Sequence, residues 1–198
     1  MTSQQRAAIP GLQFEHLSAA AARARRDTVE DIYRGAYVEA IQSAAPFADP
    51  AAFMTRFDAY TEPGRPSGFT LTLAVVDDQP IGQAWGWPLH ADTAWWGGLQ
   101  LDGSGDIDEF ITEDGTRTFA LSEIMVRSEL TSRGVARALH DELLSSRTEQ
   151  RATLLVRPAN ARAYQTYLRW GWYRVGTLRP SWPDAPQFDV LIHDLHRR

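Results

Sequence analysis

The stretch Val126-Arg127-Ser128-Glu129-Leu130-Thr131-Ser132-Arg133-Gly134-Val135-Ala136-Arg137-Ala138-Leu139 joins the end of an apolar strand to a polar loop and the start of a helix. Backbone N–H groups at a helix N-terminus lack intrahelical partners and carry partial positive charge, so this junction has the layout of a cradle for an anionic pyrophosphate. Gly134 and Ala136 let the backbone approach such a group closely, and Arg133 and Arg137 add charge-assisted contacts. Val135, Ala138, Leu139 and Leu143 form the apolar stripe that docks the helix on a sheet. An arginine-glycine pair before a helix also suits simple capping, so this junction needs a second signal.

That signal lies downstream, after a strand ending near Val156, in Asn160-Ala161-Arg162-Ala163-Tyr164-Gln165-Thr166-Tyr167-Leu168-Arg169-Trp170-Gly171-Trp172. Asn160 suits a helix N-cap, Gly171 suits a C-terminus, and Ala163, Tyr167 and Trp170 fall along one helical face. Taken singly, each has a packing or capping explanation.

In this order and spacing, the two segments resemble the GNAT superfamily of acetyl-CoA-dependent N-acetyltransferases. Its signature at the first segment is Arg or Gln, two residues, Gly, one residue, then Gly or Ala; Gly134 and Ala136 match, whereas Thr131 stands at the first position. That departure removes one side chain and leaves the amides available. The second segment matches the family's Asn-x2-Ala-x3-Tyr-x3-Gly-aromatic spacing. The resemblance covers residues 119–195 well and the first half in outline.

It implies an α/β (α+β) fold, a mixed central sheet flanked by helices, with acetyl-CoA bound where strand 119–127 meets helix 134–145. The implied cofactor contacts are Met125, Val126, Arg127, Thr131, Ser132, Arg133, Gly134, Val135, Ala136, Arg137, Asn160 and Tyr167. Tyr167 occupies the family's general-acid position, from which its hydroxyl serves the departing sulfur. For the base, Glu123 is the first choice: it shares a strand face with Leu121 and Met125, and apolar company raises a carboxyl toward neutral pH. Pairing with an arginine, or facing solvent, is the alternative for Glu123. Asp189 and His193, on one face of the last strand, form a weaker pair.

Around these segments, residues 12–17 read as a first strand and 18–41 as a helix, with Ile32, Ala36 and Ala40 four apart. Asp49-Pro50 announces a helix over 49–60, and residues 69–76 and 81–89 a hairpin about the turn 77–80. Residues 90–118 lose the pattern: seven acidic residues stand against Arg117, as in an insertion or long loop. Strand, helix, strand and helix then alternate over 119–170, implying a parallel crossover, and strands 173–178 and 188–195 follow. No internal repeat or second domain is apparent, so residues 1–198 are expected to form a single domain.

The 198 residues are 43% hydrophobic, ample for a core, and no run approaches the ~20 apolar residues of a membrane span. The N-terminus is polar, with no apolar signal-peptide core, so a cytoplasmic location is expected. A net charge of −5 argues against nucleic acid as a partner. Absent cysteine excludes disulfides, thiolate catalysis and cysteine-ligated zinc, and the five histidines are scattered, so no metal is expected. No serine-based nucleophile elbow occurs either, so direct attack by a bound amine is the natural mechanism.

The acceptor should be read by the N-terminal helices, the hairpin and its following loop, where Tyr33, Tyr37, Trp85 and Trp87, with Trp95 and Trp96, can line a pocket for a small cationic or aromatic amine, aided by the field of the acidic 90–118 segment. Core tryptophans and a solvated acidic loop are the simpler alternatives. Acetylation of protein N-termini or lysines, and a non-catalytic CoA-binding regulatory module, are the other functional readings. A homodimer is common among proteins that look like this.

Overall fold

The computed structural model describes residues 9–45, 48–64, 68–181 and 185–196. They form two compact units, one from residues up to Trp87 plus Glu123–Ser146, the other from Pro88–Ser122 plus the residues from Arg147 onward. Among the described residues no helix is long and apolar enough to cross a membrane.

In the first unit, strand β1 (Gln13–Ser18) leads into helices α1 (Ala19–Ala24), α2 (Arg26–Ala36), α3 (Val38–Gln42) and α4 (Pro50–Tyr60). The single helix expected over 18–41 is three, broken at Arg25 and Tyr37. Neither residue is Gly or Pro, so periodicity had no marker for the breaks. Asp49 caps α4 as expected, accepting from the N–H groups of Ala51 (3.0 Å) and Ala52 (3.3 Å). Strands β2 (Thr70–Val76) and β3 (Gln79–Pro88) pair through a two-residue turn whose Asp77 and Asp78 both have positive φ, the geometry that matches hairpin twist.

The layer beneath is apolar: Val29, Ile32 and Tyr33 of α2 and Phe53, Met54 and Phe57 of α4 recur at helical spacing and bury against Leu71, Leu73, Trp85 and Met125. Gln83 is a buried polar exception, and its amide nitrogen donates to Val29 O (3.0 Å) and contacts Met125 Sδ (3.3 Å). It ties α2 to the strand that carries Met125.

That strand, β5 (Thr118–Val126), runs from the second unit into the first, where its end lies beside β3. A Cβ added at Gly82 of β3 would stand 2.9 Å from Met125 O and 3.0 Å from Leu139 Cδ1. Only glycine allows so close a seat for strand end and following helix. Helix α6 (Val135–Ser145) buries Val135, Leu139, Leu143 and Leu144, largely the predicted stripe.

In the second unit, β4 (Leu99–Leu101) and α5 (Ile107–Ile111) precede β5, and β6 (Arg151–Val156), α7 (Ala161–Arg169), β7 (Tyr173–Leu178) and β8 (Phe188–Asp194) follow it. The strand order is β5-β6-β8-β7-β4. Thr118–Ala120 pair in parallel with Arg151–Thr153, the parallel pairing that the strand-helix alternation implied, while the β6–β8, β8–β7 and β7–β4 ladders are antiparallel.

Candidate active site

The loop after β5 opens with a 3-10 turn over Ser128–Leu130, closed by the Thr131 hydroxyl donating to Ser128 O at 2.9 Å. Ser132 (φ +65) and Gly134 (φ +88) are left-handed and bracket the exposed Arg133. No side chain caps α6, and Ala138 N bonds back to Gly134 O at 3.0 Å. The N–H groups of Val135, Ala136 and Arg137 therefore have no intrahelical acceptor. A Cβ on Gly134 would meet nothing within 4 Å, so the space before the helix start is open. These features fit an anionic phosphate group. Arg133 makes no hydrogen bond or ion pair among the described residues, whereas Arg137 Nε is held by Asp141 at 2.6 Å.

Arg127 is engaged differently. Its Nε donates to Pro80 O (3.0 Å), its Nη2 bonds Asp31 of α2, and its backbone N–H donates to Ile81 O (2.9 Å). A Cβ on Gly35 would lie 2.7 Å from Arg127 Nη1, so α2 approaches this side chain through a glycine. The residue fastens the cradle's entry to β3 and α2.

Before the cradle on β5 stands Glu123, with Arg56 of α4 as its cationic neighbour at 4.0 Å (Nη2 to Oε1), beyond hydrogen-bond reach. The carboxylate accepts no hydrogen bond among the described residues. A quarter of its side chain (24%) stays accessible, yet the surrounding protein strips enough water to push its pKa up to about 7, against the opposing pull of Arg56. Tyr33 is raised as well, first by burial and then by the charge of Glu123, which places the phenol in the same field. Its ring stacks on Phe53 (centroids 3.9 Å) and is tilted against Tyr37 (4.9 Å), while the Arg56 guanidinium lies 5.9 Å from the Phe53 ring centre.

Of the four aromatics expected at the acceptor, Tyr33 lies in the field of Glu123 and Tyr37 packs on Tyr33. Trp85 is core, 1% exposed and stacked behind Phe53 at 5.3 Å, and Trp87 packs on Tyr60 at 4.3 Å. A cavity of about 440 Å³ elsewhere in this unit, lined by α1 and residues 61–64, contains none of these residues.

In the second unit, Asn160 caps α7 by accepting from Ala163 N at 3.3 Å. At the other end Gly171 (φ +91) lets Trp172 N reach Tyr167 O (3.1 Å) and Gly171 N reach Leu168 O (3.1 Å), the two bonds of a Schellman cap. The Trp172 and Trp170 rings meet the Tyr167 ring edge-on at 6.1 and 5.8 Å. The Tyr-x3-Gly-aromatic spacing is therefore a helix stop that fixes the position of Tyr167.

The model of the Acetyltransferase (GNAT) family matches residues 27–172. This chain belongs to the GNAT acetyltransferase family. The acetyltransferase has the family's mixed α/β fold, shared with solved structures at low identity. The aminoglycoside 6'-acetyltransferase type Ii superposes with a TM-score of 0.61 at 13% identity, covering 94% of this chain and 99% of that one. The ribosomal-protein-S18-alanine N-acetyltransferase from Escherichia coli gives 0.57 at 14%, covering 94% and 96%. Ard1 from Thermoplasma volcanium gives 0.57 at 14%, covering 94% and 99%. No curated protein matches the sequence.

Six of the seven acidic residues of the 90–118 segment of the acetyltransferase are exposed, as the solvated reading has it, and Glu113 is the exception. Glu113 is 5% exposed and its Oε1 accepts from Thr118 Oγ1 (2.7 Å), Trp96 Nε1 (3.0 Å) and Arg151 Nη2 (3.3 Å). Asp102 pairs with Arg174 of β7, and Asp106 caps α5 through the N–H groups of Asp108 and Glu109. A patterned strand of three residues and one buried ion pair are too short a signal for periodicity to detect. Asp189 and His193 are also committed separately, the first to Arg174 Nε (3.1 Å), the second to a stack on Trp172 (5.3 Å). Arg56 escaped the sequence reading because a lone arginine on an amphipathic helix looks like any solvated one.

Proposed function

We propose that this acetyltransferase moves the acetyl group of acetyl-CoA onto the amine of a small molecule by direct attack in a ternary complex. The observation that carries this reading is Glu123: a carboxyl without hydrogen-bond partners among the described residues, in the field of Tyr33 and Arg56, with its pKa raised to about 7 and followed on its strand by the open helix start. A base is most effective when its pKa lies near the working pH.

Acetyl-CoA supplies an acetyl group activated as a thioester. The N–H groups of Val135, Ala136 and Arg137, with Arg133, hold its pyrophosphate, and the Met125–Arg127 strand end faces the pantetheine arm. Glu123 takes a proton from the incoming ammonium, the freed nitrogen lone pair bonds to the thioester carbonyl carbon, the C–S bond breaks as Tyr167 gives its hydroxyl proton to the departing sulfur, and the second proton lost by the nitrogen restores the Tyr167 hydroxyl. Tyr33 and Tyr37 form a wall for the acceptor. That the chain acts as one domain is supported by the family match, which runs through residues of both units, and by superpositions covering over nine-tenths of the chain.

A thiol-release assay with acetyl-CoA and a panel of amino acids, polyamines, aromatic amines, aminoglycosides and lysine or N-terminal peptides tests the reading. Release with a small amine, matched by its acetylated mass, is the expected result. Release with peptides alone would make the protein a peptide acetyltransferase. Calorimetric binding of acetyl-CoA with no release from any acceptor would leave the regulatory reading.

A further inference from the structure

We propose that the acceptor carries a carboxylate beside its amine, as an amino acid does, and that Arg56 holds this carboxylate while Glu123 holds the amine. The inference rests on the acetyl-transfer reading and narrows its substrate class.

Arg56 projects from α4 with 45% of its side chain exposed and uses one donor on the carbonyl of its own helix, Nη1 to Ala52 O at 3.3 Å. A guanidinium has five donors in a planar fork that fits a carboxylate in two-point fashion. The remaining donors face no acceptor within hydrogen-bond distance among the described residues, since Glu123 stays 4.0 Å away. Glu123, likewise, accepts no hydrogen bond among the described residues.

A cation and an anion thus stand side by side, close enough to feel each other and too far apart to satisfy each other. Asp49, the other carboxylate whose charge reaches Tyr33, is occupied in capping α4. The pair is complementary to a zwitterion whose ammonium and carboxylate are separated by one or two carbons. It disfavours polyamines and aminoglycosides, whose second positive charge would face Arg56. Phe53 under the guanidinium restrains the fork, and the Tyr37 ring, 38% exposed against the buried Tyr33, offers an apolar surface for the acceptor's side chain.

The test compares the twenty L-amino acids and β-alanine with the amines formed from each by loss of the carboxylate, at fixed acetyl-CoA, in the parent chain and in Arg56→Met and Arg56→Lys. The expected result is a preferred amino acid whose kcat/KM exceeds that of its decarboxylated partner by about 100-fold. Arg56→Met should shrink that ratio by about 10- to 100-fold through KM, as loss of charge-assisted hydrogen bonds does, and Arg56→Lys should restore part of it. Using a ratio cancels any effect of Arg56 on Glu123 itself, and acetyl-CoA affinity by calorimetry shows that each variant is folded. Turnover of decarboxylated amines or diamines with inert amino acids, or an unaltered ratio in Arg56→Met, overturns the inference while acetyl transfer stands. Absence of thiol release with every acceptor overturns both.

Discussion

Replacing Glu123 by Gln should weaken the enzyme and stabilise the protein, with the second effect depending on pH. The carboxyl rises from an ordinary 4.5 to about 7 on folding because the surrounding protein disfavours its charge. A group with a raised folded pKa contributes its full stability below the unfolded value and loses it as pH climbs through the folded one. Ionised Glu123 is therefore a burden above pH 7, and protonated Glu123 is not a burden below pH 4.5. At about 1.4 kcal/mol per tenfold in proton affinity, the full span corresponds to about 3 kcal/mol. Linkage between pH 5 and pH 8 then predicts that the gain from Glu123→Gln grows by about 2–3 kcal/mol. Denaturant unfolding of both proteins at the two pH values measures this directly. Acetyl transfer by the same variant should fall by about 10²- to 10⁴-fold, the range for loss of a general base. A stability difference that is flat between pH 5 and 8 would refute the desolvated-carboxyl argument, and undiminished turnover would remove Glu123 from the base role.

Arg56 pulls the Glu123 carboxyl down, so Arg56→Gln should move the midpoint of the rising limb of the kcat/KM–pH profile upward from about 7; a downward or null shift would show that the two charges are not coupled. Tyr167→Phe should keep acetyl-CoA affinity by calorimetry and lower kcat by about 10²-fold or more, and retained kcat would exclude the hydroxyl as proton donor. Gly82→Ala places a methyl 2.9 Å from Met125 O, and should destabilise the chain by about 1–3 kcal/mol in thermal unfolding while weakening acetyl-CoA binding through the displaced strand end. Glu113→Ala leaves Arg151 buried without its carboxylate, at an expected loss of about 3–5 kcal/mol, read by denaturant unfolding.

What the sequence carried by itself was local and periodic. Asn160, Gly171 and Trp172 could be read because a helix cap depends on residues a turn or so apart, and the α6 start because unpaired N–H groups follow from chain direction and a glycine. The hairpin about Asp77 and Asp78 and the apolar faces of α2, α4 and α6 were legible for the same reason. The breaks at Arg25 and Tyr37 were not, because neither residue is a helix breaker, nor were the burial of Glu113 against Arg151 and the engagement of Arg127 by Asp31, because those partners are distant in sequence. Glu123 shows the division most clearly. Its alternation with Leu121 and Met125 marked it as a candidate, but only the folded chain brings Arg56 to 4.0 Å, sets Tyr33 in its field and removes the water whose loss raises its pKa. Periodicity tells which way a side chain points along its own element; the dielectric and the charges it meets there belong to tertiary structure.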